Sequence, residues 1–270
     1  MQFVEDHGSL YGEVKLTNLS ERSRRYLEGL GYADIDSKDD IYSSLWLHAL
    51  AVGFSSQYLA EHGEGIAIGW PRIPIPAQRT IFEQSVFLGR KIASLLDMDS
   101  SIDGVTTGKI GEHQKILGIL SAKDLSVRAG WGHKDSKGRI NPGKGLVKIR
   151  KYTLAEREAI QKGSSDIEID ESRVFELLGT PLDIYLNETT CWRCVPSAVW
   201  EYYIGGYAVV KKWLSYREEN LFGRALKKEE AREVTSMVRR IATIVLMSDA
   251  LNSSCVACRD NCIAWTESND

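Results

Sequence analysis

The chain has no run of about 18 uninterrupted apolar residues, the length that crosses a bilayer as a helix. Its start, MQFVEDHGSLYGEV, lacks the basic-then-apolar order of a secretory signal. A cytoplasmic protein with no membrane partner is expected. An excess of either charge is also missing. With 34 Lys and Arg against 37 Asp and Glu, a net of -3, the chain is no general polycation, and any nucleic-acid contact must rest on a local patch. Cysteine is sparse and odd in number, five residues at 191, 194, 255, 258 and 262, which does not build a disulfide-stapled secreted scaffold. No Gly-rich dinucleotide or phosphate loop, HExxH or Gly-x-Ser-x-Gly elbow occurs, nor an Asn/Asp-Pro-Pro-Tyr/Phe tetrapeptide of the amino-methyltransferases. The five histidines, His7, His48, His62, His113 and His133, form no pair at metal-ligand spacing. His48, on a helix face, reads as a packed residue. Bond-making chemistry, a catalytic residue and a cofactor are not expected in this chain.

What is present is enough apolar residue for a real core: 270 residues, 43% hydrophobic and 26% charged. Apolar positions near the helical period predict a helix over Ile41–His62, with Asp39 or Asp40 as its cap, and a second over Ile81–Leu96. Between them GWPRIPIP, with prolines at 71, 74 and 76, predicts an extended connector. From about Gly104 the short runs KILGIL and GLVKIRKY predict a sheet, so a boundary is placed there. Thr153 and Glu156 form a capping-box pattern before a short helix, GSSDIEIDES is an acidic turn or short edge strand, and LDIYLNET is a strand. Tyr207–Glu218 is helical in pattern. Lys227–Met247 carries Ala231, Val234, Val238, Ile241 and Val245 on one face of a long closing helix. The fold class is α+β, a helical part over 1–103 followed over 104–270 by a mixed region with a small, mostly antiparallel sheet.

Three features could carry function. Cys191, Cys194, Cys255 and Cys258 stand in C-x2-C pairs that could chelate zinc, against a reading as buried small hydrophobes and tail thiols. Residues 121–151 hold nine Lys and Arg against Asp124 and Asp135, a local +7. Arg128, His133, Lys134, Lys137, Arg139, Lys144 and Lys148 on such a segment suit phosphate contacts, and Trp131 offers a stacking or wedge surface. Glycines at 130, 132, 138, 143 and 145 would let the backbone approach a partner. A solvated surface hairpin is the alternative. In AVVKKWLSYREENLFGR, finally, Val210, Trp213 and Leu214 form the apolar face, leaving Lys211, Lys212 and Arg217 exposed.

Several longer stretches resemble the C-terminal target-recognition region of type ISP restriction-modification enzymes and related adenine-specific DNA methyltransferases. They are LTNLSERSRRYLEGLGY, the segment from DIYSSLWLHAL to Pro71-Arg72-Ile73-Pro74, AGWGHKDSKGRINPGKG, VPSAVWEYYIGGYAVVKKWLSYRE and LFGRALKKEEAREVTSMVRRIATIVLM. The resemblance spans about Leu16 to Leu251. It implies a part that grips double-stranded DNA and reads the site to be methylated or cut, with Arg72 joining the cationic residues as a phosphate contact. It also implies a methyltransferase domain or subunit as partner, which would use S-adenosylmethionine; this chain lacks the S-adenosylmethionine-binding and Asn-Pro-Pro-Tyr regions of the complete enzymes, so no methyltransferase activity is carried over to it. A module that couples a methyltransferase domain to other parts through residues 41–96 is the other reading.

Overall fold

The computed structural model describes residues 17–121 and 124–263. They form an α+β protein of two compact units, one taking in the residues up to Lys91 together with those from Ala250 on, the other Ile92–Asp249. The boundary expected near residue 104 is therefore displaced. The buried guanidinium of Arg240 explains why: it donates to the carbonyls of Ser94, Leu95, Asp97 and Ser100 and so ties residues 94–100 to the second unit.

The first unit is helical. Helix Glu21–Gly29, capped by the Ser20 hydroxyl, buries Leu27 beside Phe82 of helix Arg79–Leu96, and Tyr26 meets the Phe82 ring edge-on at 5.6 Å. The single helix expected over Ile41–His62 is instead three, Asp39–Tyr42, Ser44–Gly53 and Ser56–Ile68. Ser55 causes the second break, because its hydroxyl accepts the Tyr58 N–H and starts a new helix. Lys38, rather than Asp39 or Asp40, occupies the first cap position.

The proline connector is extended as expected, and three side chains fix it. Tyr58 Oη donates to the Arg72 carbonyl (3.0 Å), His48 Nε2 to that of Pro74 (2.9 Å) and Tyr26 Oη to that of Pro76 (2.8 Å), alternate carbonyls on one edge of an extended segment. Ile75 and Ala77 use the other edge, bonding Ile263 and Asn261. Residues 248–263 are thus no loose tail. Helix Ser248–Asp260 buries Leu251, Cys255 and Cys258, an i, i+4, i+7 stripe that the cysteines concealed.

The second unit is built on a four-stranded antiparallel sheet of order β1-β6-β5-β4, where β1 is Ile119–Ser121, β4 Leu146–Ile149, β5 Pro181–Tyr185 and β6 Cys191–Pro196. Two further hairpins complete the strands: β2 (Gly132–Lys134) with β3 (Ile140–Pro142), and β7 (Tyr203–Ile204) with β8 (Tyr207–Ala208). The long helix runs Lys228–Leu246, with all five predicted apolar positions buried. Trp192 of β6 reaches it, donating Nε1–H to the Ala231 carbonyl at 3.2 Å. GSSDIEIDES is not a strand. Asp170 accepts the Ser172 N–H and caps an additional helix, Glu171–Leu178. Thr153 and Glu156 do form the reciprocal capping box. Glu156 then joins Asp183 in gripping Arg150, at 2.7 and 3.0 Å, so that one guanidinium links β4, β5 and helix Leu154–Asp166.

Two measurements check this account. Arg150 is about four-fifths buried, so Arg150→Met leaves two carboxylates without their cation and is expected to destabilise the chain by about 3 kcal/mol in urea unfolding. His48 is held neutral, with burial pushing its pKa from 6.5 down to about 4 despite the Pro74 carbonyl. The unfolded chain then takes up a proton between pH 6.5 and 4 that the folded chain refuses. Stability should fall by about 1 kcal/mol per pH unit across that window, and His48→Asn should flatten the slope.

Candidate nucleic-acid interface

The basic segment is anchored by one carboxylate. Glu218, itself buried, accepts the N–H of Gly130 (3.0 Å) and of Trp131 (2.6 Å). Trp131 is wholly buried, donates Nε1–H to the Tyr185 carbonyl at 2.7 Å and meets Trp200 edge-on at 5.2 Å. It is a core residue, and the expected stacking or wedge role is corrected: an indole in a core pocket with its N–H satisfied has no face to offer a partner.

Three of the five glycines are likewise used internally. A side chain at Gly132 would strike the Ser215 carbonyl, at Gly143 the Gly130 carbonyl, and at Gly145 the Trp131 ring. Only Gly130 and Gly138, both at positive φ, face open space, and Gly138 sits in the β2–β3 turn. The hairpin is laid tightly on its scaffold. Strands β2 and β3 pack against helix Val209–Ser215, which brings the hairpin beside Lys211 and Lys212.

The cations divide into groups. His133, Lys134, Lys137 and Lys144 are exposed and make no ion pair among the described residues. Lys211 and Lys212 are half-buried; the Lys212 ammonium lies 4.7 Å from the ring centres of both Tyr207 and Tyr216. Arg128 pairs with Asp124 and Glu219, and Arg139 with Asp135, whose carboxylate also accepts the N–H groups of Lys137 and Arg139 and so shapes the turn. Those bonds hold the Asp135 carboxyl below the usual range, the Arg139 N–H contributing most.

Lys148 on β4 lies 4.6 Å from the Tyr185 ring centre, and Arg72 is exposed in the first unit. Arg217 departs from its expected exposure. Its guanidinium carbon lies over the Trp213 ring, 3.7 Å from the centre, with Nε buried and unbonded, and burial lowers its pKa. With Arg128, Arg139 and Arg150 all paired, the local +7 overstates the charge on offer, because Glu219, Glu156 and Asp183 come from outside residues 121–151.

The zinc alternative finds no ligand set: no three His, Cys, Asp or Glu side chains among the described residues converge on a metal position. Cys191 and Cys194 belong to β6 in the second unit, Cys255 and Cys258 to a helix in the first. Burial pushes the thiols of Cys194 and Cys258 up to about 12 and about 11, far from the thiolate that binds metal.

One group of residues escaped the sequence reading. Tyr203, Ile204, Tyr207 and Tyr216 are exposed by 44–63%. The signal was YYIGGY: apolar residues around Gly205-Gly206, whose φ angles of +58° and +84° make the tight two-residue turn of a hairpin that carries them into solvent.

A family model described as the type ISP C-terminal specificity domain matches residues 7–244. The chain belongs to that family of specificity domains, which ties it to target recognition in restriction-modification enzymes. No curated protein and no solved structure matches it. No single helix among the described residues is long and apolar enough to cross a membrane.

Trp131→Ala is expected to cost about 3–5 kcal/mol in denaturant unfolding, as a core indole does. Lys137→Ala should stay within about 0.5 kcal/mol of the parent, as an exposed side chain does.

Proposed function

We propose that this chain is the part of an adenine-specific DNA methyltransferase or restriction-modification enzyme that binds double-stranded DNA and recognises its site, without catalysing a reaction itself. The observation that carries the reading is the set of cations without an ion pair among the described residues, Lys134 and Lys137 on a hairpin packed against the helix of Lys211 and Lys212 and Lys144 just beyond it, in a chain that is acidic overall and belongs to a family of specificity domains. Five lysines so placed suit the phosphates of a duplex, and the exposed pairs of Arg128 and Arg139 exchange carboxylate for phosphate at little cost, since such pairs contribute only about 0–1 kcal/mol. His133 and Asn141, paired across β2 and β3, supply groups able to bond base edges. The S-adenosylmethionine and the transferring machinery belong to the methyltransferase domain or subunit that this part serves.

A second reading has its own support. The helical unit exposes Trp46, Ile68, Trp70 and Phe87, more large apolar surface than a free helical unit needs. It suits a module that holds the methyltransferase domain.

Duplex binding measured against salt tests the first reading. The logarithm of the binding constant should fall linearly with the logarithm of salt concentration, and each of Lys134→Ala, Lys137→Ala and Lys144→Ala should make the slope shallower by about 0.9. A salt-insensitive constant, or no binding at low salt even with the methyltransferase part present, excludes it. Under the second reading Trp46→Ser and Phe87→Ser weaken association with the methyltransferase part and leave the salt slope untouched.

A further inference from the structure

The β7–β8 hairpin is an unusual thing to leave in water. Tyr203 is 63% exposed, Ile204 46% and Tyr207 57%. Ile204 pairs with Tyr207 across the hairpin, so those two share one face, while Tyr203, paired with Ala208, lies on the other. Apolar side chains on both faces mean that neither face serves as an inner one. The tip is also clear of neighbours: nothing lies within 4 Å of where a side chain would begin at Gly205 or Gly206. Behind this blade stand Lys211 and Lys212, the second with its ammonium over Tyr207 and Tyr216.

Stacking surfaces at an exposed tip with two lysines at its base, the Lys212 ammonium held over two rings, match a nucleic acid, whose bases stack and whose phosphates flank them. We infer that this hairpin is the element that enters the duplex, with Tyr203 and Ile204 wedging into a base step while Lys211 and Lys212 hold the adjoining phosphates. The inference rests on the DNA-binding reading above. It takes over the wedge role from Trp131, which is buried, and it adds a contact whose strength depends on how readily the DNA unstacks. The same helix packs against the β2–β3 hairpin, so a duplex touching Lys134 and Lys137 lies within the same unit. That continuity with the cationic hairpin favours DNA over a lipid surface as the occupant.

The test does not need the recognised sequence. The whole chain is titrated with a fully paired 20-base-pair duplex and with the same duplex carrying a central two-base mismatch, in which unstacking is already achieved. The unaltered chain should bind the mismatched duplex about tenfold more tightly. Tyr203→Ser with Ile204→Ser should abolish that preference and leave the salt slope on paired duplex unchanged; Tyr203→Ser alone, a milder change, should halve the preference or more, and circular dichroism should show all variants folded. Salt-dependent binding to paired duplex without a mismatch preference, or a preference that survives both variants, overturns the wedge and leaves the DNA-binding reading standing. Failure to bind either duplex at low salt, with the methyltransferase part added as well as without it, overturns both. Binding to vesicles of phosphatidylcholine and phosphatidylglycerol that needs Tyr203, with no mismatch preference, assigns the hairpin to a lipid surface and overturns the wedge.

Discussion

The buried carboxylate of Glu218 is the constraint on which the cationic surface depends. By accepting two successive N–H groups at Gly130 and Trp131, it sets the chain direction entering β2 and drives the indole of Trp131 into the core. Everything downstream follows within a few residues. Gly132 lies against the Ser215 carbonyl, the β2–β3 turn is closed by Asp135, and Gly145 yields its side-chain space to the Trp131 ring. A carboxylate with two fixed donors in a site shielded from water is held far more rigidly than one at the surface. The lysines of the hairpin therefore project from a fixed mount, and the ordering entropy of the loop is met by folding rather than by binding.

Several arginines are committed to the fold. Arg150 joins two strands and a helix, Arg240 closes the end of helix Arg79–Leu96, and Arg224 forks onto Glu230, whose carboxylate also takes the Lys227 N–H at the start of the long helix. On the β2–β3 hairpin it is lysines, Lys134 and Lys137, rather than Arg139, that make no ion pair among the described residues. That division suits the chemistry of each side chain: the planar guanidinium satisfies several acceptors in a buried site, while the ammonium, a mobile point charge, follows a phosphate backbone without demanding one geometry.

Local patterns were legible in the sequence and distant partners were not. The capping box of Thr153 and Glu156, the proline connector and the stripe of Ala231, Val234, Val238, Ile241 and Val245 all depend on residues within a few positions of one another, and each stands in the structure. Trp131 was misread because its partners are Glu218 and Tyr185, 87 and 54 residues away. A glycine-rich, cationic segment looks solvated until those contacts are known. Arg217 was misread for a related reason, since the Trp213 ring that covers it was counted only as an apolar position. The closing helix Ser248–Asp260 was hidden by chemistry: read as thiol ligands, Cys255 and Cys258 point to a metal, and read as small hydrophobes they mark a helix face. The hairpin at Gly205-Gly206 was missed because the apolar residues around the glycines do not say which side faces water.

The grip of Arg240 has a consequence for how the chain can be divided. Its guanidinium is buried, and four of the carbonyls it serves lie between residues 94 and 100. A fragment cut at the compositional change near residue 104 would remove all four carbonyls and leave that buried cation only the Ser236 hydroxyl, 3.3 Å from its Nε. A piece that bears the cationic hairpin and keeps every acceptor of Arg240 therefore begins no later than Ser94, well ahead of its first strand.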